Sequence, residues 1–345
     1  MDPGAGGPKR MEGPLVRARN LLQRRKTWRR ALHSRSMLAA AAVYLLWLTA
    51  CAPPATHAAI GSPSPGSPPS EPTARIFSQP EDHFFDVLTF NTALLPEPVS
   101  YTLPTVRAAS MAPSLMGYDT LVLQEAFIDV WRDRIIGELA AFYPYRGELV
   151  GRDGAGGFPL RQDGGIVILS RWPIVRQATL TFGTTCSGTD CLGDKGVAYV
   201  AVRKGSRTYH LFGTHAQSSF GRDVEDVRAA QFKLFADFVA EQEIPTDEAV
   251  LLAGDFNVDA STLELGSMLR ALGASWPPVL GSVKATWDPE GNDWADGRRH
   301  WLDYVLVADG FGSPVAAWNR AVPLRAGDLD LSDHFAVWGR VAMPP

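Results

Sequence analysis

The sequence is short of cysteine, of charge and of long apolar runs. Three cysteines in 345 residues, with no pair of Cys-x-x-Cys motifs, exclude a zinc site built of thiolates. No GxxxxGK[ST], HExxH or GxSxG motif occurs, so nucleotide-driven, zincin and serine-hydrolase chemistries have nothing to rest on. The uncharged apolar run at 37–50 holds fourteen residues, too few for a bilayer-spanning helix, which needs about 20. No internal repeat and no second linker is evident, which points to one domain. What is present is ample core material: 46% hydrophobic residues against 20% charged ones exclude wholesale disorder.

The formal charge of −4 divides unevenly. Residues 1–50 hold ten Lys/Arg and two Asp/Glu, a net +8, so the remainder carries −12. A basic stretch around Arg24, Arg25 and Lys26 precedes the apolar run, the layout of an export signal. The run ends Leu48-Thr49-Ala50-Cys51, which resembles the lipobox of bacterial lipoproteins. That resemblance implies an acylated Cys51 and attachment to a membrane. Ordinary cleavage after Ala58 is the alternative, and Met11 competes with Met1 as the start. Residues 52–73 are almost entirely Pro, Ser, Gly and Ala and read as an extended tether. The division expected is 1–50 export signal, 51–75 tether and 76–345 catalytic domain. The product is exported and either anchored to the bacterial cell envelope or secreted.

Within the domain, short runs rich in Val, Ile, Leu and Phe recur at 84–91, 119–125, 164–170, 196–202, 208–215, 249–257, 302–308 and 334–342. Helical periodicity marks 131–142 and 223–241. Several strands follow one another directly, so the pattern suits an α/β layered sandwich better than a strict doubly wound sheet. Polar residues stand where the strands end. Asn91, Glu125, His215, Asp255 and Asn257 close runs; Asp303 opens one; Asp333 and His334 precede the last. A carboxylate directly after Leu-Val-Leu-Gln is costly to bury unless paired or metal-bound. Few hard oxygens plus two histidines with Asp partners suit Mg²⁺-assisted hydrolysis of a phosphate ester.

The ordered blocks QEAF (124–127), DGGIVILSRWPI (163–174), GTHAQ (213–217), GDFN (254–257), ATWD (285–288), WLDYVL (301–306) and SDHFAV (332–337), with Asn91 before them, resemble the endonuclease/exonuclease/phosphatase superfamily. GTHAQ, DGG…SRWPI, ATWD and LGDKG (192–196) look most like its bacterial neutral sphingomyelinases. The resemblance implies a four-layered α/β sandwich of two packed mixed sheets flanked by helices. It implies Mg²⁺, with Mn²⁺ or Co²⁺ as substitutes, on Glu125, Asn91 and Asp333. It makes His334 the water-activating base, oriented by Asp303. It gives Asp255 and Asn257 to the phosphate and nucleophile, and His215 to the phosphoryl or leaving oxygen. Lys195 and Phe127 are candidate substrate contacts. His83 and His300 have no role in this reading.

The implied reaction is cleavage of sphingomyelin, or a related choline phospholipid, to phosphocholine and ceramide by a monomer at a membrane surface. The alternatives are an extracytoplasmic Mg²⁺-dependent nuclease, a phosphoinositide or other phosphomonoester phosphatase, and a non-catalytic surface binding protein. A net −12 offers little of the basic footprint of a nucleic-acid partner, so none is expected. One departure concerns residues 309–331, too few for the long membrane-entering hairpin usual in such sphingomyelinases. With Cys51 assigned to acylation, Cys186 and Cys191 remain. They enclose Ser-Gly-Thr-Asp, and in an oxidising compartment they are expected to pair.

Overall fold

A computed structural model describes residues 82–345 apart from 97–99, 101 and 155–161. The expected export segment, Cys51 and the whole of the expected tether lie outside the described residues. Two six-stranded mixed sheets form the frame. The first contains β1 (Phe84–Asn91), β2 (Thr120–Gln124), β3 (Tyr145–Arg146), β4 (Val167–Ser170), β11 (Ala316–Val322) and β14 (Ala336–Ala342), in the order β11-β14-β1-β2-β4-β3. The second contains β5 (Ile174–Thr181), β6 (Gly196–Lys204), β7 (Arg207–His215), β8 (Ala249–Asp255), β9 (Ala274–Ser275) and β10 (Asp303–Ala308), in the order β5-β6-β7-β8-β10-β9. Helices α1 (Pro104–Met111) and α2 (Asp129–Leu139) accompany the first sheet, and α3 (Arg222–Glu241) and α4 (Leu263–Leu272) the second. The four-layered sandwich is therefore the fold. Among the described residues no helix is long and apolar enough to cross a membrane.

Side-chain alternation along the strands makes the layers. On β1, Phe85 and Val87 join the core between the sheets, whereas Leu88 and Phe90 pack outward with Ala108, Met111 and Ile135. Asn91 shares the parity of Phe85 and Val87, so it faces the seam between the sheets. On the other outer face, Phe212 and Phe256 meet Phe232 and Phe235 of α3. The sheets approach closely where Gly213 stands, since a Cβ there would come within 2.6 Å of Val122 Cγ1.

Eight strands fall on the apolar runs, with the strand at 249–257 stopping at Asp255. β5, β11 and the tiny β3 and β9 were not foreseen. β5 and β11 are sheet edges and expose several residues, so neither has a continuous apolar run. The helix expected over 131–142 runs Asp129–Leu139. Between β10 and β14 the chain makes β11 and a small hairpin, β12 (Arg325–Ala326) with β13 (Leu329–Asp330), so no long hairpin projects there.

Candidate active site

Register brings the polar strand ends together. β1 and β2 run parallel with Asn91 opposite Gln124, which places Glu125 one residue past the strand. β7 and β8 run parallel with His215 opposite Asp255, and antiparallel β10 sets Asp303 against the same Asp255. The glycine of Gly254-Asp255 is a local necessity. It sits at φ 152°, and a Cβ would lie 2.1 Å from Thr214 O. Glu125 and Asn257 are non-glycine residues in left-handed backbone, at φ 51° and 54°. Such conformations persist where the surroundings over-determine them, typically at functional sites.

Asp255 is the hub. Asn91 Nδ2 donates to Asp255 Oδ2 at 3.0 Å, and the Asn257 N–H donates to Asp255 Oδ1 at 2.9 Å. His215 Nε2 lies 3.6 Å and His334 Nε2 3.8 Å from Asp255 Oδ2. His334 Nδ1 donates to Asp303 Oδ2 at 2.8 Å, fixing the ring and leaving Nε2 toward the cavity. Trp287 stands edge-on to this imidazole, centroids 5.2 Å apart. Burial disfavours the charged form of His334, but the carboxylates of Asp303, Asp255 and Asp333 outweigh it and hold the imidazolium well above its usual range.

His215 is held the opposite way. Burial, the Lys195 ammonium and His334 push it well below its usual range, so it is neutral. Lys195 Nζ donates to His215 Nε2 at 3.1 Å, to Asp190 Oδ2 at 2.7 Å and to Ala216 O at 3.1 Å. Lys195 is thus buried behind the histidine rather than open to a substrate. Asp190 also accepts from the N–H and Oγ of Ser218. Its segment is closed by the Cys186–Cys191 disulfide, with Cα atoms 5.3 Å apart, so the two cysteines pair as expected.

The other wall could hold a cation. Burial and the charge of Asp333 push Glu125 up to about 7, against Lys195, Asn91 and His334, which lower it. Glu125 and Asp333 are hard oxygen donors that fit Mg²⁺. Asn91 turns its amide N–H toward Asp255 and Glu125, and its oxygen accepts from the Ala93 N–H at 3.0 Å. Asp255, Asp303 and His334 also have ligand atoms within 4.8 Å of one another, but the shared Asp303–His334 hydrogen bond is that of an acid–base pair. A separate acidic group, Asp129, Asp153 and Asp163, is partly offset by Arg132, which pairs with Asp129 and Asp163.

One cavity of 510 Å³ collects Glu125, His215, Asp255, Asn257, Asp333 and His334. Phe127 does not line it. It is buried under the Glu125 loop, where Gly165 and Gly193 leave room for its ring. Residue-by-residue reading also missed Arg107. Fully buried, its guanidinium donates to Thr92 O at 2.6 Å and Leu331 O at 2.7 Å, tying the backbone after Asn91 to the backbone before Asp333. Burial lowers its pKa to about 10, against Asp333 and Glu125, which raise it. An arginine among small residues of a short helix gave no signal of this.

Residues 88–334 match the Endonuclease/Exonuclease/phosphatase family. Sphingomyelinase C of Bacillus cereus is 31% identical over 268 residues, covering 67% of this chain and 80% of that protein. The crystal structure of sphingomyelinase C from Streptomyces griseocarneus superposes with a TM-score of 0.68 at 31% identity, over 75% of this chain and 99% of that one. A variant of Staphylococcus aureus beta toxin with bound magnesium ions gives a TM-score of 0.67 at 27% identity, over 74% and 98% of the two chains.

Proposed function

The chain belongs to the endonuclease/exonuclease/phosphatase family, as a phosphoric diester hydrolase related to sphingomyelinase C, and from that premise we propose that it hydrolyses sphingomyelin or a closely related choline phospholipid to phosphocholine and ceramide. The observation that carries this reading is the Asp303–His334 pair at 2.8 Å, facing the Glu125 and Asp333 carboxylates across one cavity. Its bacterial relatives add the lipid diester as substrate class.

In this reading Glu125 and Asp333 would hold Mg²⁺, with Asn91 beside them. When bound, the ion supplies positive charge to the phosphoryl and leaving oxygens. Positive charge held by Glu125 and Asp333 would offset the carboxylates that favour the His334 imidazolium, and in the neutral form so released His334 Nε2 takes a proton from water as the water oxygen bonds to phosphorus and the bond to the ceramide oxygen breaks. Asp303 keeps Nδ1 protonated, fixes the tautomer and balances the imidazolium that forms. Asn257 donates a hydrogen bond to a phosphoryl oxygen, and the Lys195 ammonium, which donates to His215 Nε2, adds positive charge behind the histidine that lines the phosphoryl cavity. The ceramide alkoxide takes up a proton from solvent water and the proton on His334 Nε2 returns to solvent, so one water is consumed for one ester bond.

We further assign residues 1–50 to export, Cys51 to acylation and 51–75 to a tether, which would keep the enzyme beside a membrane. Purified protein given sphingomyelin, lysophospholipids and supercoiled DNA, each with Mg²⁺ or EDTA, tests the reading. Phosphocholine release from sphingomyelin that EDTA abolishes is expected. Cleavage of DNA alone would overturn it.

A further inference from the structure

The mouth of the cavity carries a large apolar side chain that the core does not use. Phe220 is 60% exposed, yet it lines the same cavity as His334, His215 and Trp287. Its loop is firmly built. Arg228 Nη1 donates to Gln217 O at 3.1 Å and to Ser219 O at 2.8 Å. Gln231 Oε1 accepts from the Gln217 N–H at 2.8 Å, and Asp190 holds Ser218. Ser219 at φ 76° and Gly221 at φ 124° turn the backbone on either side of Phe220. A segment so heavily fixed presents its exposed ring in a set orientation.

That ring is backed by His300, with centroids 4.8 Å apart. His300 Nδ1 is in turn fixed on Asp259 Oδ2 at 2.6 Å. His300 and Trp287 exchange two backbone hydrogen bonds of 3.0 Å, and Trp287 stands against His334. Phe220, His300 and Trp287 therefore form one aromatic rim coupled to the proposed base. The cavity lining is acidic on balance, since Glu125, Asp255, Asp296 and Asp333 outnumber Arg298 and His334. A diester whose phosphorus lies over the catalytic groups must extend one substituent across this rim. A quaternary ammonium has no N–H to donate, so it is recognised by ring faces and nearby negative charge, which the rim provides.

We propose that Phe220, backed by His300, is the head-group subsite, its exposed ring receiving the quaternary ammonium of the substrate. This rests on the choline-phospholipid reading above and goes beyond it by naming a specificity-determining contact. Binding can be measured independently of turnover. Calorimetry of the Mg²⁺-loaded full-length protein with phosphocholine and with ethyl phosphate gives an affinity ratio. Phe220→Leu, which keeps apolar bulk but loses the ring, should lower that ratio fivefold or more, and Phe220→Trp should keep it. His300→Gln should lower it less. An unchanged ratio in Phe220→Leu would overturn the proposal. So would a defect confined to sphingomyelin vesicles, because it would assign Phe220 to bilayer contact. If the ratio falls as expected but the wild-type protein cleaves no choline lipid, the subsite stands and the substrate reading fails.

Discussion

Glu125 gives up backbone freedom and, before a cation arrives, electrostatic comfort as well. It sits in left-handed backbone, and burial beside Asp333 raises its carboxyl to about 7. Glu125→Gln should therefore keep the fold while losing most Mg²⁺-dependent turnover. Mg²⁺ should raise the melting temperature of the wild type and leave that of the variant nearly unmoved, because only a site that binds the ion can couple it to stability. Turnover that persists in EDTA, or an equal thermal shift in both proteins, would refute a metal role for this residue. His334→Ala should cost about 10²–10⁴-fold in turnover, the usual contribution of a positioned base. A near-normal rate would move that duty elsewhere, with Asp255 the next group to test.

Elements deliver these side chains through register and through clasps. The Cys186–Cys191 loop is too short to carry the fold; the chain-entropy relation gives about 2 kcal/mol for it. Its larger effect should be on Asp190, which holds both Lys195 and Ser218. The Cys186→Ser/Cys191→Ser variant should thus lose turnover more sharply than stability. A variant as active as the wild type would separate the clasp from catalysis. His210 links β7 to Tyr199 of β6 and to Glu248, just ahead of β8. Burial lowers its pKa against Glu248, which raises it, so the unfolded chain takes up a proton that the folded one refuses. This contribution to stability is intact above about 6.5, the unfolded value, and is lost progressively as pH falls below it toward the lower folded value. His210→Gln should flatten the wild-type loss of melting temperature between about pH 7.5 and 5.5, and an unaltered slope would place its origin elsewhere. The eight apolar strands were legible because each buries a continuous run, and the polar residues ending them were legible because they interrupt it. β5 and β11 were not, since edge strands need no such run. Arg107 and the burial of Phe127 were not legible either, because both depend on contacts between segments far apart in sequence. Asn91 was found as a site residue, but the turn of its amide follows from partners on two different sheets.

At the scale of the molecule, the proposed catalytic set belongs to neither sheet alone. The first sheet brings Asn91, Glu125 and the segment ahead of β14 with Asp333 and His334; the second brings His215, Asp255 and Asp303. Each half can form its own backbone ladder without creating a site. Catalytic competence is therefore a reading of how well the two sheets are docked, not of how much strand or helix is present. In mild guanidinium, turnover should fade before the far-ultraviolet circular dichroism does, and coincident midpoints would argue against this. An enzyme exported and acting on lipid as proposed above would also carry a built-in safeguard: until its two halves are joined, the chain in transit would have no weapon against the membrane it is crossing.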